Sequence, residues 1–127
     1  KELEMLKQMF DFKKSSRSFV EHLMNKYCME MLSLTKGKNG SELFTVDKHF
    51  QTQPAQLDNV VDSVGAGDAY TAILSIGYIN KWPLELILEK ATEFAARICK
   101  IEGAVPTDPN FYKKTISSIK GKQNEKA

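Results

Sequence analysis

The chain has 127 residues, 42% of them hydrophobic and 27% charged, with a formal net charge of +2. That size suits one compact domain of ordinary globular composition. The near-neutral charge gives no support to a nucleic-acid or anionic-membrane partner, and no apolar run approaches the roughly 18 residues that a membrane span needs.

Leu3, Leu6, Met9 and Phe10 recur at helical spacing and predict a first helix over Lys1–Phe10. The chain begins inside this pattern at Lys1, so truncation at the N-terminus is expected, and the segment lacks the basic-then-apolar order of a signal peptide. Ser15-Ser16 offers a cap for a second helix marked by Phe19, Val20, Leu23, Met24 and Tyr27. Met29–Thr35 reads as a buried strand, Gly37–Gly40 as a turn, Ser41–Val46 as a second strand, and His49–Gln53 as a third after a tight turn at Asp47-Lys48. Val60-Val61 is predicted as a short strand leading into a glycine loop. Ala69–Ile79 follows as a helix that Gly77 weakens near its end. Pro83 suits a helix start, and Leu84, Ile87, Leu88, Ala91, Ala95 and Ile98 form the strongest helical pattern in the chain. Gly103 stops it, Pro106 and Pro109 keep it stopped, Phe111–Ile119 makes a last short helix, and Lys120–Ala127 is expected to fray.

This order is that of an α/β layered protein with too few strands to complete a sheet. Cys28 and Cys99 both fall in apolar-periodic segments and are expected to be buried free thiols, which suits a reducing, cytoplasmic location. His22 and His49 stand alone, without metal-ligand spacing, and Trp82 reads as a packing residue at a helix start.

The chemistry concentrates in Asp62-Ser63-Val64-Gly65-Ala66-Gly67-Asp68. Small residues let backbone N–H groups approach a ligand, and a helix N-terminus leaves those groups unpaired and positive. Such a place favours phosphate, and Asp68 beside it could accept a proton from a hydroxyl. Phosphoryl transfer to an alcohol needs both parts. Read alone, however, the same residues could be a glycine turn with a capping aspartate. The loop is not a Walker A motif, because the Gly-Lys-Ser/Thr ending is missing, nor a dinucleotide fingerprint, because the third glycine is missing.

The stretch resembles the C-terminal signature of the PfkB, or ribokinase-like, carbohydrate kinases, whose pattern is close to Asp-Thr-x-Gly-Ala-Gly-Asp; Ser63 replaces the usual threonine. Leu32–Gly40 resembles the family's strand and nucleotide-binding turn, and Ala91–Pro106, closing on Gly103-Ala104-Val105-Pro106, its last core helix and exit loop. Among members the chain looks most like bacterial fructokinases. The resemblance implies that residues 1–127 are the ATP-binding C-terminal portion of a three-layer αβα sandwich that phosphorylates a sugar hydroxyl, fructose first among the candidates. Ribose, a keto-sugar acid or a nucleoside is the alternative substrate within the family, and a non-catalytic nucleotide-binding fragment the alternative outside it.

Carried over by residue, the resemblance implies Asp68 as catalytic base and Gly65, Ala66 and Gly67 as anion hole. It implies Thr35, Gly37, Gly40, Gly67 and Thr92 around ATP. It places Asp62, Val64, Ile98, Ile101, Gly103 and Thr107 where many members hold a monovalent cation, K⁺ being the ion to test, mostly through backbone oxygens. Glu2 would be the glutamate of the family's Asn-x-x-Glu motif, linked to Mg²⁺, with its asparagine lying before Lys1. The Asn-x-x-Glu match at Asn39–Glu42 falls in a hairpin turn and is read as chance. The family's sugar-binding glycine pair, early aspartate and lid have no counterpart in these residues, so the isolated chain is expected to be inactive. A homodimer is carried as an expectation for the intact enzyme.

Overall fold

Alternation along two strands sets the layers. A computed structural model describes residues 1–53 and 60–124. In it, β1 (Met31–Thr35), β2 (Ser41–Thr45) and β3 (His49–Gln51) form an antiparallel sheet in the order β1-β2-β3. Ser33 pairs with Leu43 and Leu43 with Phe50, while Leu32 pairs with Phe44 and Phe44 with His49. Because side chains alternate across a sheet, the first set faces one layer of helices and the second the other.

On the Leu43 face lie α3 (Ala66–Ile79) and α4 (Leu84–Ile98), packed against each other and burying Tyr70, Ile73, Leu86, Ile87, Ala91, Phe94 and Ile98. On the Phe44 face lies α2 (Ser16–Lys26), which buries Val20 and Met24, with α1 (Glu2–Met9) against it. Ser15 caps α2, its hydroxyl accepting from the Ser18 N–H at 3.2 Å. The helix–sheet–helix layering is that of a fragment of a larger αβα domain. Among the described residues, no helix is long and apolar enough to cross a membrane.

Several boundaries differ from the sequence reading. α3 begins at Ala66, not Ala69, because Gly65 adopts a left-handed φ of 81° and turns the chain directly into the helix. Residues 60 and 61 form no strand, since the Val61 N–H turns to the Cys99 carbonyl at 2.9 Å instead of to a strand partner. The third strand ends at Gln51, although the Thr52 N–H still meets the Ser41 carbonyl at 3.0 Å, one position further along the same register. Pro109 opens α5 (Pro109–Asn124) rather than merely ending α4, with the Asp108 carboxylate accepting the Asn110 N–H at 2.9 Å. Lys120–Asn124 is therefore helical, and the expected fraying of residues 125–127 lies outside the described residues. Cys99 is buried as expected, but Cys28 is exposed at a φ of 51° just past α2. Trp82 is buried at the start of α4, as expected of a packing residue.

Candidate active site

Three segments distant in sequence close on one cleft. The turn between β1 and β2 is fixed by Lys36 N–H to Gly40 carbonyl at 2.9 Å and Gly40 N–H to Gly37 carbonyl at 3.1 Å. Gly40 has a φ of 85°, and a Cβ there would lie 2.8 Å from Thr52 Oγ1, so only glycine fits. Thr52 Oγ1 accepts the Ser41 N–H at 2.9 Å, and Ser41 Oγ meets Thr92 Oγ1 at 2.8 Å, which ties the turn to α4.

The glycine loop forms the opposite wall. The Val61 and Asp62 N–H groups share the Cys99 carbonyl at 2.9 and 3.3 Å. The Asp62 carboxylate accepts from Val64 N–H at 2.9 Å and from Gly103 N–H at 3.3 Å. The chain then swings through Gly65, where a Cβ would sit 2.5 Å from that of Ala104, into the first turn of α3. Ala66 N–H turns back to Ser63 at 3.3 Å; among the described residues, the Gly67 and Asp68 N–H groups donate to nothing. Among the described residues, nothing beyond its own helix backbone and chain neighbours lies within 4 Å of where a Gly67 Cβ would be. Asp68 is exposed beside these amides.

Between the walls is a cleft of about 400 Å³ lined by Thr35, Gly37, Gly40, Ala66, Gly67 and Thr92. The five positions expected around ATP thus share one cavity, of a size that suits a small ligand. Sequence reasoning missed the rest of its lining. Val60, Ala95, Ala96 and Cys99 make an apolar wall, and Lys38 adds a cation. Ala95 and Cys99 could have been suspected, since they lie on the Thr92 side of α4 at helical spacing. A larger cleft of about 790 Å³ lies on the Phe44 side, lined in part by Glu2, Arg17, Lys36, Glu42 and His49. It shares Thr35 and Gly37 with the smaller cleft but does not include the glycine loop, so the free amides single out the smaller one.

The residues fit a nucleotide better than they fit a metal. Unpaired amides and open glycines suit phosphate, and the apolar wall suits a base. Glu2 is exposed, with its carboxylate 3.8 Å from the N-terminal amino group. Glu4 is held by the Ser16 hydroxyl at 2.8 Å and by Lys7 at 3.3 Å, and these two contacts lower its pKa below the ordinary carboxylate value. Among the described residues, no three Asp, Glu, His or Cys side chains are grouped to hold a metal ion. Of the positions implied for a monovalent cation, Asp62, Val64 and Gly103 are linked by hydrogen bonds, and the Ile98 carbonyl already accepts the Ile101 N–H at 3.2 Å. The Ile98 side chain is in the core, and Thr107 is exposed beyond Pro106.

Comparison with known proteins gives the family and the fold. The chain is 31% identical to fructosamine kinase FrlD of Bacillus subtilis over 61% of its own length and 27% of that protein. It is 30% identical to 2-dehydro-3-deoxygluconokinase of Haemophilus influenzae over 72% of its length and 30% of that protein. The structure of adenosine kinase from Sinorhizobium meliloti superposes with a TM-score of 0.70 at 21% identity, covering 83% of this chain and 32% of that one, a likeness of fold. The chain thus spans less than a third of the length of these relatives. The sequence profile of the pfkB family carbohydrate kinases matches residues 1–110, and the chain belongs to that family.

Proposed function

We propose that this chain supplies the ATP site, anion hole and general base of a kinase that phosphorylates a hydroxyl of a sugar or sugar-like substrate. The observation that carries the reading is Gly67, whose amide donates to no described group, lining one cleft with Thr35, Gly37, Gly40 and Thr92, with the exposed Asp68 and its free amide next along the helix. The amides would stabilise charge on the moving phosphoryl group, Gly67 would let it approach, and Asp68 would take the acceptor's proton. Val60, Ala95 and Ala96 would flank the base. Mg²⁺ would accompany the ATP phosphates and neutralise their charge; no residue described here is assigned to hold it.

Fructose is the substrate the sequence resemblance suggests, but the named relatives act on fructosamine, 2-dehydro-3-deoxygluconate and adenosine, so none favours fructose. The test uses two proteins. The 127-residue chain should bind ATP by calorimetry yet show no sugar-dependent ADP release, because the acceptor is unpositioned, and positioning is worth roughly 7–11 kcal/mol. The full-length protein should release ADP with at least one of fructose, fructosamine, a keto-deoxy sugar acid or a nucleoside. Failure of the chain to bind ATP, or silence of the full-length protein across that panel, overturns the reading. Replacing KCl with equimolar tetramethylammonium chloride in the active assay reports on the monovalent cation; unchanged rates would remove it from the proposal.

A further inference from the structure

Among the described residues, the glycine loop meets the segment that leaves α4 at several points. Val61 and Asp62 hang from the Cys99 carbonyl, and Gly65 lies against Ala104 so closely that a Cβ would be 2.9 Å from the Ala104 Cα. The helices on either side of that segment are tied to each other. Arg97 donates to the Phe111 carbonyl at 2.9 Å and to the Thr115 hydroxyl, and its guanidinium lies 4.2 Å from the centre of the Phe111 ring. The two loops are joined by one charged side chain. Asp62 Oδ1 accepts the Val64 N–H within its own loop, and Asp62 Oδ2 accepts the Gly103 N–H across the gap.

We propose that Asp62 is a positioning residue whose carboxylate, by bridging the Val64 and Gly103 amides, sets the aim of the Gly67 and Asp68 amides at the phosphoryl group. The proposal rests on the reading of that loop as an anion hole. A local turn would need only the first bond, and asparagine makes such turns as well as aspartate does. The second oxygen reaches a residue 41 positions away, which no local turn requires. Hydrogen bonds to a charged acceptor are about twice as strong as neutral ones, and a misaimed donor loses most of its value to a transition state. Asp62 touches no reacting atom in this scheme; it acts through Val64 and Gly103.

Asp62→Asn separates the two roles. Asparagine offers one oxygen to Val64 and turns an NH₂ toward the Gly103 N–H, donor against donor. In the full-length protein we expect kcat to fall about 10–100-fold while KM for ATP stays within about threefold, the pattern of a lost transition-state interaction. In the 127-residue chain, Gly103 amide exchange should quicken and Val64 protection persist, with Asp62→Ala losing both. Wild-type kcat together with unchanged Gly103 exchange in Asp62→Asn would overturn the proposal. So would recovery of Asp62→Asn activity at raised K⁺, because the carboxylate would then act through a cation. If even the wild-type protein phosphorylates nothing, the functional reading fails, and Gly103 exchange alone decides whether Asp62 bridges the loops.

Discussion

At its N-terminal end α3 presents Gly67 to open space, whereas near its C-terminal end Gly77 is walled in. Among the described residues, a Cβ on Gly67 would meet nothing beyond its own helix within 4 Å; one on Gly77 would lie 2.7 Å from Ile87 Cγ1 and 2.9 Å from Trp82 Cε3. The backbone differs in the same sense. At the C-terminal end Trp82 N–H closes on the Gly77 carbonyl at 2.9 Å and Asn80 N–H on the Ile76 carbonyl at 3.0 Å, with Lys81 at a φ of 56°. At the N-terminal end the Gly67 and Asp68 amides donate to no described group. One helix therefore has a closed end, where glycine allows α3 and α4 to touch, and an end that the described residues leave open, where glycine leaves room for a ligand.

The largest expected effect tests the open end. Asp68→Asn in the full-length protein should lower kcat by about 10²–10⁴, the usual worth of general-base assistance, with ATP affinity within about threefold of wild type. Asparagine keeps the size and the capping capacity, so melting temperature should hold. Steady-state rates and calorimetry decide it. Turnover within about threefold of wild type removes the base role, and lost activity with a lowered melting temperature assigns Asp68 to capping alone.

The two glycines should then part company under the same substitution. Gly67→Ala should leave the chain as stable as before or more so by up to about 1 kcal/mol, since alanine favours helix and the space is open. It should nevertheless weaken turnover by an order of magnitude or more, roughly as when a donor to developing charge is displaced. Gly77→Ala should do the reverse. Overpacking costs about 1–3 kcal/mol, which outweighs the helix-propensity gain and lowers the melting temperature by a few degrees. ATP affinity should not change. Equal melting temperatures for the two variants would erase the distinction between the ends.

Much of this was legible before any coordinates. The period of α4, the alternation of β1 and β2 and the glycine loop are local signals, and each appears within a residue or three of its expected place. What escaped was set by contacts between residues far apart in the chain. Gly77 looked like a weakness in a helix because Ile87 and Trp82 are invisible from its own neighbours. Val60-Val61 looked like a strand because hydrophobic β-branched residues do, yet Cys99 takes the Val61 N–H. Ala95 was read only as part of the apolar stripe of α4, but the helix turns it onto the cleft, where Ala96 and the buried Cys99 join it. Asp62 was read as a cation neighbour, and the Gly103 amide that occupies one of its oxygens could be found only in three dimensions.

The smallest effect belongs to the closed end. Tyr78 donates to the Glu30 carboxylate, which links the end of α3 to the residue before β1. This hydrogen bond, and then the negative charge of Glu30, raise the Tyr78 pKa above its ordinary value of 10.0. The neutral phenol is thus the form that the fold favours. Its contribution is fully present below pH 10.0 and is lost as pH rises through the higher folded-state pKa. The pair is exposed, so water competes for both partners and the contribution is small. Tyr78→Phe should lower the melting temperature of the chain by at most about 2 °C near neutral pH. Comparing the two proteins at about pH 9 and about pH 11 then isolates the bond, because the two chains differ at this one side chain alone. The wild-type advantage should persist at the lower value and shrink at the higher. A gap that is absent throughout, or that does not change with pH, would show that the Glu30 contact contributes nothing. A change in ATP affinity would show instead that the closed end of α3 communicates with the open one.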